Sequence, residues 1–455
     1  MTKTFVLRTD ATLSCEGSTL QFGNDNEVVV PLAIYEGLYN YNGVSERKRL
    51  AARFLEYCSQ FNAKELASKT GVVQENGSHL FILDNSKEFS KEIQAASNLS
   101  TVDKRVLQLC LDLKKQGKEV HLISQNPVIR HKAELLDIVA EPLKNNLFPP
   151  LKEQYRGIMD VPVSSDVISK FKASGKHGIP IETIYNYTDF QWIENCFIQF
   201  IGSSGSIVIG RYTNGMIVPL QYYRTLPNGI KAENLEQKML FECLLAPPSV
   251  APLVIVKGGA GTGKTFCSLA AGLENVAKYG TGNLYHEILV ASPTIGMDDD
   301  IGHLPGDIVD KVGPYLSGIQ DNLKNLFRLA NPEDDNLAIE DKCNEVFARK
   351  FIEVQAIRFL RGRSIHSTYF IIDEAQNIPV DIILDIITRA GINCKIILMG
   401  DPSQINRPNL TDSYNGLVFG SESMKGSAYC WQVSLSPDKN LRSPLSQEAL
   451  NRIKR

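Results

Sequence analysis

A chain of 455 residues has room for two or three domains, and its 43% hydrophobic and 22% charged residues describe an ordinary soluble globular protein. A net charge of −3 offers no overall attraction to nucleic acid, although it leaves room for a local basic groove, and no apolar run approaches the length of a membrane span. Nine cysteines without a CxxC pair argue against a zinc ribbon or a dithiol motif, and suit a reducing cytoplasm better than a disulfide framework.

Residues 1–145 alternate strand-like and helix-like stretches. Phe5–Leu7, Val28–Val30, Leu80–Leu83 and Val120–Ser124 are short apolar runs of strand length. Glu46–Phe61, Val102–Lys115 and Ile129–Ile138 repeat apolar residues at helical spacing. Strands separated by helices predict a parallel α/β sheet.

Residues 146–230 change character. Phe148-Pro149-Pro150 opens the region, and Cys196–Ile201, Ser206–Ile209 and Met216–Leu220 read as short strands. Asn214-Gly215 between the last two is a two-residue hairpin signal, because both positions tolerate the left-handed backbone that such a turn needs. This predicts a small β-rich connector, whose role its residues do not reveal.

Residues 231–455 return to an α/β pattern and carry the chemistry. Gly258-Gly259-Ala260-Gly261-Thr262-Gly263-Lys264-Thr265 follows an apolar strand, Pro252–Lys257, and precedes a helical stretch, Phe266–Ala277. This is the context of a phosphate-cradling loop: glycines turn backbone N–H groups toward one anion, and the helix N-terminus adds its dipole. Lys264 then reaches the outer phosphates and the Thr265 hydroxyl can hold Mg²⁺. About a hundred residues later, Tyr369–Ile372 is a strand ending in Asp373-Glu374-Ala375-Gln376-Asn377. Asp373 is the expected second Mg²⁺ partner, through water, and Glu374 the group that positions and polarises the attacking water. A third buried strand, Lys395–Gly400, leads into Asp401-Pro402-Ser403-Gln404. The Gln404 amide can contact the γ-phosphate or the lytic water. Upstream, Asn234-Leu235-Glu236-Gln237 opens a helix, and Gln237 either reads an adenine edge or is a polar residue on a helix surface. Arg442, in Asn440-Leu441-Arg442-Ser443, is either a transition-state cation or a surface charge. Arg358, Arg361 and Arg363 lie close together and suit either phosphate contacts or intersubunit pairing.

Together these motifs resemble the PhoH family of ATPases, closely so over residues 231–455. The match includes Asn234–Gln237, the phosphate loop, Ile301–Asp307, Lys311–Tyr315, Leu360–Ser364, Asp373–Asn377, Gly400–Gln404 and Leu441–Ser443. One departure is Ser292, where the family usually has arginine before the proline. The resemblance implies a RecA-like P-loop NTPase domain using ATP and Mg²⁺, single-stranded RNA as partner, and a homo-oligomeric ring, a hexamer, with no membrane role. The N-terminal half resembles a PIN nuclease domain, through Phe5–Asp10, Val30–Glu36, Asp103–Leu107 and Ile123–Asn126.

PIN nucleases bind Mg²⁺ or Mn²⁺ in a ring of carboxylates and activate water for phosphodiester cleavage. Here Arg8 stands at the first acid's position and Asn126 at the fourth, leaving Asp10, Glu36 and Asp103. Arg8 and Asp10 are two apart, so on a strand they share a face. Arg8 is expected to pair with Asp10, Glu36 or Asp103 and to oppose metal binding, giving a degenerate site. The implied function is ATP hydrolysis acting on RNA, as a helicase or translocase. Two alternatives stay open: an ATP-switched RNA-binding scaffold, and an active ATP-regulated ribonuclease in which Asp10 serves the metal.

Overall fold

The protein is described by a computed structural model covering residues 2–13, 17–23, 25–39, 45–86, 88–95, 99–143, 148–187, 191–203, 205–276, 284–293, 308–357, 365–407, 410–436, 448 and 452. It divides into two compact units, Met1–Leu147 and Phe148–Arg455.

The first unit is built on six strands: β1 (Lys3–Leu7), β2 (Glu27–Pro31), β3 (Val72–Val73), β4 (His79–Leu83), β5 (Glu119–Ile123) and β6 (Val139–Glu141). They run in the order β3-β4-β2-β1-β5-β6, all parallel except the edge pair β3–β4. Strand order reverses around β1, and in open parallel sheets ligands bind at the strand C-termini beside such a reversal. Both predicted long helices form, as Ser45–Ser59 and Thr101–Lys115. The third is Pro127–Glu134, starting and ending earlier than Ile129–Ile138. Pro127 suits the first helical turn, and Asp137 adopts φ 54°, a left-handed conformation that ends the helix before Ile138. The helix Leu32–Tyr39, which carries Glu36, was not among the predicted elements.

The second unit holds two sheets. The smaller comprises β7 (Ile158–Val163), β8 (Ile179–Pro180), β9 (Phe197–Gly202), β10 (Ile207–Thr213) and β11 (Met216–Pro219), in the order β7-β9-β10-β11-β8. The β10–β11 hairpin turns on Asn214 and Gly215, at φ 48° and 77°, as the residue pair predicts. Phe197, Ile209, Leu220 and Ile230 are buried in the same apolar core as the larger sheet, so this region packs onto the C-terminal part.

The larger sheet is wholly parallel: β12 (Leu253–Gly258), β13 (Glu287–Ser292), β14 (Ile352–Ala356), β15 (Thr368–Ile372), β16 (Lys395–Gly400) and β17 (Cys430–Leu435), in the order β14-β13-β15-β16-β12-β17. Every described residue of β12, β15 and β16 is buried, as expected for strands covered on both faces. β16 lies between β12 and β15, so the loops leaving all three emerge side by side. This brings together motifs more than a hundred residues apart.

Candidate active site

The phosphate loop runs from the end of β12 into the helix Lys264–Asn275. Gly261 and Gly263 sit at φ 80° and 86°, a backbone state that side chains resist and glycine adopts freely. The Thr262 hydroxyl donates to the Gly259 carbonyl at 2.9 Å, and Lys264 Nζ donates to the carbonyls of Gly258 and Gly259 at 2.6 and 2.9 Å. The lysine thus lies folded over the loop it serves.

At the end of β15, Asp373 Oδ2 accepts a hydrogen bond from Thr265 Oγ1 at 2.8 Å. Hydroxyl and carboxylate meet where sequence spacing places the two Mg²⁺ partners, and this oxygen pair fits a small hard cation. Asp373 Oδ1 accepts from the Glu374 N–H at 2.9 Å. Glu374 itself has φ 57°, an unusual backbone state for a side-chain-bearing residue and one that concentrates at functional sites. Burial, and then the neighbouring Asp373 charge, push its carboxyl above the ordinary carboxylate range, despite the bond it accepts from Gln376 and the pull of Lys264. These groups line one cavity of about 1290 Å³, with Ala260, Gly261 and Gly263 on one side and residues of the helix Ile308–Ala330 on the other.

Gln376 is the residue the sequence reading passed over. It is fully buried. Its Nε2 donates to Glu374 Oε2 at 2.6 Å and to the Gln404 carbonyl at 3.2 Å, while its Oε1 accepts from the Asp401 N–H at 3.1 Å. One amide therefore ties the Glu374 carboxylate to the loop after β16. Its signal was its place in Asp373–Asn377, directly after the acidic pair.

Gln404 and Gln237 both have their amides bonded within the protein. Gln404 was to contact the γ-phosphate or the lytic water; its Nε2 donates to Asp401 Oδ2 at 2.7 Å, and the side chain is not among the described residues lining the cavity. The tight turn Asp401–Gln404, closed by a bond from the Gln404 N–H to the Asp401 carbonyl, folds it back. Gln237 was to read an adenine edge or be a polar residue on a helix surface; it is buried, which removes the surface reading, and it lines the cavity beside the phosphate loop with part of its amide already engaged. Its Nε2 donates to the Thr262 carbonyl at 3.2 Å and its Oε1 accepts from the Glu233 N–H at 2.9 Å. It braces the phosphate loop against the start of the helix Leu235–Leu245, which Asn234 caps. Arg358, Arg361, Arg363 and Arg442 lie outside the described residues, as does the segment Ile301–Asp307.

In the first unit, Arg8 Nε donates to Asp103 Oδ1 at 2.7 Å, and its Nη1 lies 3.2 Å from Asp10 Oδ2. Burial works against this guanidinium, but the hydrogen bond to Asp103 and the charge of Asp10 hold its pKa above the ordinary arginine value. Asp10 also accepts from Ser124 Oγ at 2.9 Å and from the Asn126 N–H at 2.9 Å, and Asp103 accepts from Ser100 Oγ at 2.7 Å. The shared face was expected from strand geometry, but β1 stops at Leu7 and Asp10 belongs to the helical turn Thr9–Thr12. Arg8 meets Asp10 across a helix start. Glu36 is exposed and has no described bond to Arg8. Asn126, at the fourth acid's position, caps the helix Pro127–Glu134 by accepting from the Val128 N–H. Among the described residues, no group of three or more His, Cys, Asp or Glu is arranged to hold a metal ion. With a guanidinium already satisfying two of its carboxylates, this site does not fit a divalent cation.

Comparison with known proteins follows the same division. Residues 229–454 match the family model described as PhoH-like protein, and residues 5–144 match a PIN domain model. Protein PhoH2 of Bacillus subtilis is 31% identical over 459 residues, covering 99% of both chains. Protein PhoH2 of Mycolicibacterium smegmatis is 27% identical over 453 residues, covering 98% of this chain and 95% of its own. A PhoH-like protein of Bacillus subtilis is 31% identical over 193 residues, 42% of this chain and 55% of that protein.

Proposed function

The chain belongs to the PhoH family of P-loop ATPases, in the form with a PIN domain ahead of the PhoH-like part, and from that premise we propose that it hydrolyses ATP to move or unwind single-stranded RNA. The observation that carries the ATPase reading is the 2.8 Å contact between Thr265 and Asp373 inside a cavity that also holds Lys264 and Glu374.

The loop amides cradle the phosphates, and Lys264 exchanges its two loop carbonyls for their oxygens. Mg²⁺, held by Thr265 and Asp373, supplies neutralising charge to the outer phosphates when bound. Glu374, ionised and pinned by Gln376, accepts a hydrogen bond from the attacking water and aligns it. Gln376 carries that alignment to the Asp401–Gln404 loop, so a change at the γ-phosphate can reach a surface turn. The RNA part of the reading rests on resemblance to the family and on the PIN domain. Its test is ATP turnover by the full chain with and without single-stranded RNA. Stimulation by RNA, followed by strand separation on a partial duplex, is expected; turnover indifferent to RNA removes the RNA role.

The Arg8 ion pairs favour a PIN domain that holds RNA without cutting it. Incubation with RNA and Mn²⁺ is expected to leave RNA intact for the wild type. Robust cleavage that is lost in Glu36→Ala would instead establish an active ribonuclease, and a cleavage rate that responds to ATP in the wild type but not in Lys264→Ala would make it ATP-regulated.

A further inference from the structure

The cavity around the phosphate loop has a second wall. Gly318, Asp321, Asn322, Asn325, Arg328 and Leu329 line it from the helix Ile308–Ala330. They recur at intervals of three and four, so they form one face, about 16 Å long at 1.5 Å per residue. The opposite face holds Leu323, Leu326 and Phe327, all buried in the core, so the wall is fixed in place. At about 1290 Å³ the cavity exceeds the roughly 300–1,000 Å³ usual for a small-molecule pocket, so a triphosphate on the loop leaves space for a base against this wall.

Gln237 lines the same cavity from the phosphate-loop side, with one amide hydrogen on the Thr262 carbonyl and its oxygen accepting from the Glu233 N–H. Along the second wall, Asn322 Nδ2 donates to the Gly318 carbonyl and Arg328 donates to Asn336 Oδ1. The Asp321 carboxylate repels phosphate and keeps the triphosphate at the loop end. Asn325 is exposed to the cavity with no described hydrogen bond on its side chain. A carboxamide offers a donor and an acceptor side by side, the complement of the adenine N7 and N6 pair. Guanine presents two acceptors, N7 and O6, on that edge and mismatches it.

We propose that Asn325 reads the adenine base, making the helix Ile308–Ala330 the specificity wall of the nucleotide site. This rests on the ATP reading of the phosphate loop, and the test separates the two. Equilibrium binding of ATP, GTP and inorganic tripolyphosphate, each with Mg²⁺, is measured on the full chain in wild type, Asn325→Ala, Asn325→Asp and Lys264→Ala. Asn325 is on an exposed helix face, so its variants are expected to fold. Wild type favours ATP over GTP. Asn325→Ala weakens ATP roughly tenfold, to the GTP level, and leaves tripolyphosphate unchanged. Asn325→Asp also weakens ATP, since a carboxylate accepts from the adenine N6 donor but offers N7 no donor, and it gains nothing for GTP, whose N7 and O6 are both acceptors. Lys264→Ala weakens all three. An ATP-to-GTP ratio unchanged by Asn325→Ala, or a wild type that does not discriminate the bases, overturns the proposal alone. Failure of every triphosphate to bind overturns the ATP reading with it.

Discussion

Glu374 is asked to orient water while standing beside a second carboxylate in a partly buried site. Its raised pKa follows from that setting, and its protonated form cannot align the nucleophile. The turnover rate is therefore expected to fall on acidification along a limb centred above the ordinary glutamate value of about 4.3. Glu374→Gln keeps shape and a hydrogen bond but loses the charge; turnover is expected to drop about 10²–10⁴-fold with ATP binding retained. Unchanged binding and unchanged turnover would remove Glu374 from the chemistry. In the first unit, Arg8 stands between two carboxylates with four-fifths of its side chain sheltered. Arg8→Met leaves Asp10 and Asp103 facing each other without a cation, and urea unfolding should show a loss of about 3 kcal/mol. The acidic pair and the phosphate loop were legible in the sequence because their chemistry demands fixed residue types at fixed spacing. The engagement of Gln237 and Gln404 was not, since an amide's partner depends on which strand ends meet. Nor was the setting of Asp10, because nothing in Arg8-Thr9-Asp10 marks where strand gives way to helix.

At the scale of elements, three parallel strands deliver three loops to one edge, and Lys395 shows how firmly they are seated. It lies fully buried in β16, and its Nζ donates to the carbonyls of Cys243, Ala246 and Ala251 at 2.7, 2.8 and 3.0 Å. Those carbonyls close the end of the helix Leu235–Leu245 and the segment entering β12. Burial pushes the ammonium down to about 7. A lysine depressed on folding is destabilising in its charged form, so its contribution to stability worsens as pH falls from about 10.4 toward 7 and levels off below. Lys395→Met removes that slope but leaves three carbonyls without their donor, an expected loss of about 3 kcal/mol or more in urea unfolding at pH 7. A variant as stable as wild type would contradict the capping role. β12, β15 and β16 were readable as apolar runs, whereas β13, β14 and β17 were not among the predicted strands. β7 was not, because Asp160 and Pro162 interrupt its pattern and its partner β9 lies over thirty residues away.

For the molecule as a whole, the boundary that matters falls at Phe148. The smaller sheet shares its core with the ATPase sheet, the Arg211 guanidinium stacks 4.0 Å from the Trp431 ring centre, and the buried Lys257 ammonium, just before the phosphate loop, donates to the Tyr155 carbonyl and to Ser421 Oγ. A fragment of residues 148–455 is expected to fold and bind ATP, whereas 231–455 loses Phe197, Ile209 and Leu220 from the shared core and Arg211 from the Trp431 ring, and should be insoluble or partly folded by circular dichroism. A stable, nucleotide-binding 231–455 fragment would show the smaller sheet to be dispensable. Composition alone marked that region as β-rich without saying what it leans on, because packing partners leave no local signature. The most direct test is ATP hydrolysis by the full chain with Lys264 replaced by alanine: at least a hundredfold loss of turnover is predicted, and hydrolysis at the wild-type rate would contradict the account.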